Sequence, residues 1–201
     1  MKNLKTTLSI LVLSVTLLSF TSCKDKKTDE ATKPMSSEMH NEDGHNQEDS
    51  EKMMSEASGN GSTATIIENY MKIKNALVAS NKDEAATAGG MLESNFKEFD
   101  KSAYSSEEQE ELTDIIEDAK EHAEHISESP LEHQREHFDL LSKDLIDMIA
   151  ITGTDKKLYQ DFCPMYNNNK GAAWLSTTKE IKNPYFGSKM MNCGKVQKEI
   201  N

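Results

Sequence analysis

From Thr63 to Gly153 the chain carries four apolar stripes at helical spacing, divided by short turn and cap signals. A chain with that pattern has few ways to bury all four. Ile66, Tyr70, Ile73 and Leu77 recur at intervals of four, three and four, which puts them on one face of a first helix. A second helix is expected from Asp83 to Lys101, with Met91, Leu92, Phe96 and Phe99 on its apolar side. Gly89-Gly90 either weakens that helix or lets a neighbour approach closely. Ser106 with Gln109 fits a capping box opening a third helix, which carries Leu112, Ile115, Ile116, Ala119, Ala123 and Ile126. Ser129-Pro130 reads as a cap followed by proline at the first helical position, with Glu132 three residues after the serine. The fourth helix carries Leu131, Phe138, Leu141, Leu145, Met148 and Ile149 and stops near Gly153. The expected fold is all-α: an up-down bundle of about four helices with a C-terminal irregular, short-β segment packed on it. Leu158 to Phe162 is the strand expected in that segment.

The region before the bundle reads differently. Lys2 and Lys5 precede an apolar run from Thr7 to Phe20 that is too short for a comfortable membrane span. Thr21-Ser22 ahead of Cys23 resembles a bacterial lipobox, with Phe20 departing from its usual aliphatic residue. The resemblance implies that residues 1–22 are a lipoprotein signal peptide and that Cys23 is lipidated; an ordinary secretory signal is the other reading. The mature chain is then exported and held by lipid to a bacterial envelope membrane, with the outer membrane, periplasmic or surface side, favoured. Residues 23–62 are expected to be a disordered acidic linker, because no apolar periodicity interrupts the Lys, Asp, Glu, Ser, Asn and Gly. Met35, Met39, His40, His45, Met53 and Met54 in it either capture Cu(I) or Ag(I) loosely or sit in a solvated spacer by accident. Residues 63–201 form the folded domain. The full chain has 23 basic and 35 acidic residues and a net charge of −12, which drops to about −14 once Lys2 and Lys5 are removed. Such a surface excludes nucleic acid as a partner and attracts cations.

Two constellations can carry chemistry. With Cys23 assigned to lipid, Cys163 and Cys193 remain as a pair in an oxidising compartment. They are either a disulfide closing a loop of about 30 residues, worth roughly 3–4 kcal/mol, or two thiolate ligands. Met165, Met190 and Met191 lie beside them in sequence, and soft sulfur donors suit Cu(I) and its congeners. The second constellation is a histidine hairpin. His122 and His125 end the third helix, and His133 and His137 begin the fourth, each pair on one side of its helix. His125 and His133 are nearly equidistant from the turn, as are His122 and His137, so an antiparallel hairpin brings four imidazoles to matching heights. The alternative is a set of solvated histidines at a hydrophilic hairpin end. His133-Gln134-Arg135-Glu136-His137 also spells H-x-x-E-H, an inverted zinc-protease pattern with Glu136 as general base. A segment so rich in Glu and His produces that pattern by chance.

From about Glu68 to Val196 the chain resembles an uncharacterised helical domain of exported lipoproteins, which also occurs fused to periplasmic adaptor subunits of copper/silver-type RND efflux systems. The resemblance rests on Tyr70 to Leu77, on His133 to Phe138 with Leu141-Ser142, and above all on the tail. There Cys163-Pro164-Met165 is followed by Asn169 to Leu175, Glu180-Ile181, Asn183 to Gly187 and Met190 to Gly194. It implies heavy-metal handling, with Cys163, Met165, Met190 or Met191, and Cys193 as ligands and His133 or His137 as a nitrogen donor. Adaptor domains are missing, so a free-standing accessory protein for Cu(I) or Ag(I) efflux or homeostasis is expected, with RND efflux components as partners and zinc as the less suited ion. No catalysis is expected. The competing readings are a structural or partner-binding lipoprotein stapled by a Cys163–Cys193 disulfide, with Trp174, Tyr185 and Phe186 as anchors, and a zinc hydrolase built on the H-x-x-E-H segment.

Overall fold

The structure of the protein, a computed structural model, describes residues 62–200. The expected leader, the lipidated Cys23 and the Met and His residues of the linker lie outside the described residues. Four long helices follow one another: α1 (Thr63–Val78), α2 (Lys82–Lys97), α3 (Ser106–Glu128) and α4 (Leu131–Thr152). Three antiparallel strands close the chain: β1 (Leu158–Cys163), β2 (Ala172–Ser176) and β3 (Lys195–Ile200), in the order β2-β1-β3. No described helix is long and apolar enough to cross a membrane.

The helix ends show how local chemistry fixes the bundle. Ser62 caps α1 by accepting from Thr65 N–H, and Asn81 caps α2 by accepting from Glu84 N–H. Helix α2 stops at Lys97, short of the expected Lys101, because Asp100 folds the chain into a turn by accepting from Ser102 N–H at 2.8 Å. The α3 capping box is one residue earlier than expected, Ser105 with Glu108 in place of Ser106 with Gln109. The tandem Ser105-Ser106 and Glu108-Gln109 fit either register, and the carboxylate is the stronger acceptor at a helix N-terminus. Pro130 is also displaced from its expected place. Its ψ of 158° keeps it outside α4, so it is the cap residue and Leu131 begins the helix. The two-residue link Ser129-Pro130 is extended at both positions and turns α4 back along α3. Gly153 ends α4 as expected, at φ 68°.

The apolar stripes meet in one core. Ile66, Tyr70, Ile73 and Leu77 of α1 are fully buried, as are Leu112 and Ile126 of α3 and Phe138, Leu141 and Leu145 of α4. The sheet covers α4 through β2, whose Trp174 and Leu175 are fully buried. Tyr70 joins three elements at once: its hydroxyl sits 2.7 Å from Ser142 Oγ and accepts from Leu175 N–H at 3.0 Å. Asn167, Asn168 and Asn169 form a left-handed turn between β1 and β2, at φ 50°, 56° and 64°. Gly171 completes it at φ 82°, where a Cβ would meet the Phe162 ring at 2.1 Å, so only glycine fits. Two of the three strands, β2 and β3, fall in sequence that reads as turns, because their pairing with β1 is made across the fold and not along the chain.

Candidate metal centre

The Ser129-Pro130 link decides the geometry of the histidines. Because it is only two residues long, α3 and α4 run antiparallel side by side, and the histidines on either side of it meet. His122 Nδ1 and His137 Nδ1 are 3.2 Å apart, and His137 Nε2 and His133 Nε2 are 3.1 Å apart. The His125 ring stacks on that of His137 with centroids 4.3 Å apart and planes 6° from parallel. His137 is therefore the hub of the group. One ligand nitrogen from each of His125, His133 and His137 lies within 4.8 Å of the other two. Tetrahedral nitrogens around an ion at 2.0–2.1 Å sit about 3.3 Å apart, so the His133–His137 pair needs almost no movement to share one.

Electrostatics favour lone pairs here. Burial is the main cause that lowers the His137 pKa to about 4, and the charges that His125, His133 and His122 would carry lower it further. Burial also lowers that of His122. A neutral imidazole is what a metal ion requires. Acid groups surround the cluster. Glu117, Glu121, Glu124 and Glu128, with one cation, Lys120, line an open cavity with His125, and His125 Nε2 lies 3.8 Å from Glu121 Oε1. Glu136 Oε2 lies 2.7 Å from His133 Nδ1. On the inner side His122 Nε2 lies 3.8 Å from Asp144 Oδ2. Burial, with Asp118 and Asp147 adding to it, raises the Asp144 carboxyl to about 7.

The rest of the H-x-x-E-H segment is structural. Gln134 is fully buried and donates to Lys82 O and Ile126 O at 3.0 and 2.9 Å. Buried Arg135 donates to Leu77 O, Ser80 Oγ and Pro184 O, tying α1 and the tail to α4. The alternation of exposed and buried residues through this segment follows from the helix period. Histidine and glutamate take the outer faces, and glutamine and arginine face inward, where the Gln134 amide nitrogen and the Arg135 guanidinium donate to backbone carbonyls.

The cysteines form a separate pair. Cys163 ends β1 fully buried, Cys193 lies in the turn before β3, and their Sγ atoms are 2.8 Å apart as free thiols. Burial first, and the hydrogen bond with Cys163 second, push the Cys193 thiol up to about 11, while the Met165 backbone hydrogen-bonds to it and opposes that rise. The side chain of Met165 is exposed, and Met190 and Met191 are part-exposed in the turn whose Met190 O accepts from Cys193 N–H. No group of three or more His, Cys, Asp or Glu within ligand reach among the described residues includes a cysteine. His133 and His137, expected to supply a nitrogen donor to the cysteines, are gathered instead with His125, because the hairpin turns their side chains towards α3. Trp174 and Tyr185 are buried and meet edge to face, and Tyr166 stacks on Tyr185 at 4.3 Å.

His125 and Asp144 are the residues that the sequence underweighted. His125 was readable from its distance to the turn. Asp144 carries only the weak signal of lying seven residues, about two turns, beyond His137.

Residues 66–157 match the family model described as protein of unknown function DUF3347. The match takes in α2 to α4 and most of α1, and so all four hairpin histidines and Asp144. It ends one residue before β1, leaving Cys163, Met165, Met190, Met191 and Cys193 beyond it. Comparison with curated proteins and with solved structures finds no match.

Proposed function

We propose that the protein is an exported, lipid-anchored accessory protein that binds copper at the α3–α4 histidine cluster and serves metal homeostasis or efflux at the cell envelope. The observation that carries this reading is the convergence of His125, His133 and His137 ligand nitrogens within 4.8 Å. The metal is cargo, taken up and handed on. Imidazole donors suit copper and zinc alike, and Cu(II) heads the divalent affinity order. Thiol and thioether donors suit Cu(I). Copper is the ion for which both donor sets of this chain are apt, one for each oxidation state. Ag(I) shares the sulfur preference and zinc shares the imidazole preference. The acidic residues around His125 would concentrate any cation at the mouth of the site. The lipid anchor, the envelope location and RND efflux components as receivers rest on the leader and on the resemblance read from the sequence.

Binding is preferred to hydrolysis for a geometric reason. Glu136 is bonded to the outer ring nitrogen of His133, where it orients the imidazole, and is thereby turned from the inner edge where a bound water would be activated. A second reading, a disulfide-stapled module for protein partners, draws on the 2.8 Å approach of Cys163 and Cys193. The test is a titration of the full chain with Cu(II) in air and with Cu(I) under anaerobic reduction, each against a chromophoric chelator. It is run beside His137→Ala and a Cys163→Ser/Cys193→Ser double variant. One tight equivalent of Cu(II) lost in His137→Ala is expected. Binding lost only in the double variant moves the site to the thiols and overturns the assignment, and no binding at all leaves the partner-binding module.

A further inference from the structure

We infer that His122 does not ligate the metal but, with Asp144 behind it, holds His137 in the tautomer and orientation that ligation needs. The inference rests on the histidine-cluster reading above and concerns how that site is built. Each cluster imidazole has two ring nitrogens, and an ion can use only one of them. The inner nitrogens are settled by the Nε2–Nε2 approach of His133 and His137 at 3.1 Å. An ion there takes the lone pair of both, which leaves their protons on Nδ1.

Both Nδ1 atoms already have a partner. His133 Nδ1–H can donate to Glu136 Oε2 at 2.7 Å. Among the described residues the partner of His137 Nδ1–H is His122 Nδ1, at 3.2 Å, so that atom must be an acceptor. The single proton of neutral His122 then sits on Nε2 and faces Asp144 Oδ2 at 3.8 Å. That oxygen is buried and has no hydrogen-bond partner among the described residues, so it is free to face the donor this arrangement creates. Glu136 acts on His133 directly, and Asp144 acts on His137 through His122. A carboxylate behind a ligating imidazole fixes its tautomer and raises its basicity, and losing such a partner typically lowers affinity ten- to a hundredfold. His122 also cannot be a fourth ligand without giving up the nitrogen that meets His137, or swinging its Nε2 away from Asp144.

The experiment uses the full chain loaded with Zn(II), a diamagnetic probe. Long-range 1H–15N spectra of the imidazoles should show metal-bound Nε2 in His133 and His137, and a metal-free His122 protonated at Nε2. His122→Ala and Asp144→Asn should each bind Zn(II) ten- to a hundredfold more weakly while keeping the metal-bound Nε2 signals of His133 and His137. Asp144 is remote from the ion, so it tests the arm even if His122→Ala fails to fold. A metal-bound nitrogen in His122, or affinities of both variants within threefold of the parent, would overturn the inference. Failure of the parent chain to bind Zn(II) or copper would remove the cluster reading itself, an outcome distinct from either.

Discussion

Gly89 and Gly90 are adjacent on α2, yet replacing each with alanine should move stability in opposite directions. Gly90 has nothing within 4 Å of the position a Cβ would take. Alanine there adds no contact and removes backbone freedom from the unfolded chain, so Gly90→Ala should stabilise by about 0.5–1 kcal/mol. At Gly89 a Cβ would meet Ala123 O at 2.9 Å and Ser127 N and Ile126 Cγ2 at 3.1 Å. Two of those atoms are backbone, so α2 must retreat from α3 as a unit. Overpacking of that kind costs about 1–3 kcal/mol, more than the helix-propensity gain offsets. The two variants should therefore differ by about 2 kcal/mol, which is roughly 6–8 °C in Tm for a domain of this size. The crowded turn of α3 also carries His125, so Gly89→Ala should weaken metal binding and Gly90→Ala should not. Thermal melts in parallel with the metal titration read both effects. If Gly89→Ala melts at or above Gly90→Ala, the close approach of α2 to α3 is wrong.

Arg135→Met should destabilise by about 2–4 kcal/mol in urea, because it removes the donor to Pro184 O and leaves buried acceptors under-bonded; a loss below 1 kcal/mol would mean the tail is held by other contacts. Air oxidation should bring the free-thiol count of Cys163 and Cys193 to zero and stabilise the fold by about 3–4 kcal/mol through closure of the intervening loop, a gain that Cys193→Ser abolishes; thiols that persist under oxidant would refute it. The last prediction concerns pH, and its sign follows from the lowered His137 pKa of about 4. The unfolded chain binds a proton at this group below about 6.5, whereas the metal-free folded chain binds it only near 4. Stability from this group is thus complete above pH 6.5 and is lost as pH falls towards 4. An NMR titration of the ring protons gives the folded value directly, and one at or above 6.5 would contradict the packing described.

The parts of this fold legible in the sequence are those written by near neighbours. Helical periodicity picked out Ile66, Tyr70, Ile73 and Leu77, and all four are buried. Cap chemistry was readable to within a residue or a few, missing where two serines and two acceptors stood in tandem at Ser105 to Gln109. Equal distances from the turn paired His122 with His137, and the structure brings those rings together. The H-x-x-E-H pattern misled in part, since a regular expression does not say that Gln134 and Arg135 point inward to bond Lys82, Ile126, Leu77 and Pro184.

The sequence by itself determined four helices, their order and the turn that sets four imidazoles at one end of a hairpin, because helix periods, caps and a two-residue link act over a few residues. Only the tertiary structure decided the rest. It made strands of Ala172–Ser176 and Lys195–Ile200 by pairing them with β1. It brought Cys163 to Cys193 across a separation of 30 residues. It set Asp144 behind His122 and lowered the His137 pKa by burial. Those outcomes depend on which surfaces exclude water from which groups, and residues far apart along the chain decide that only once they are packed together.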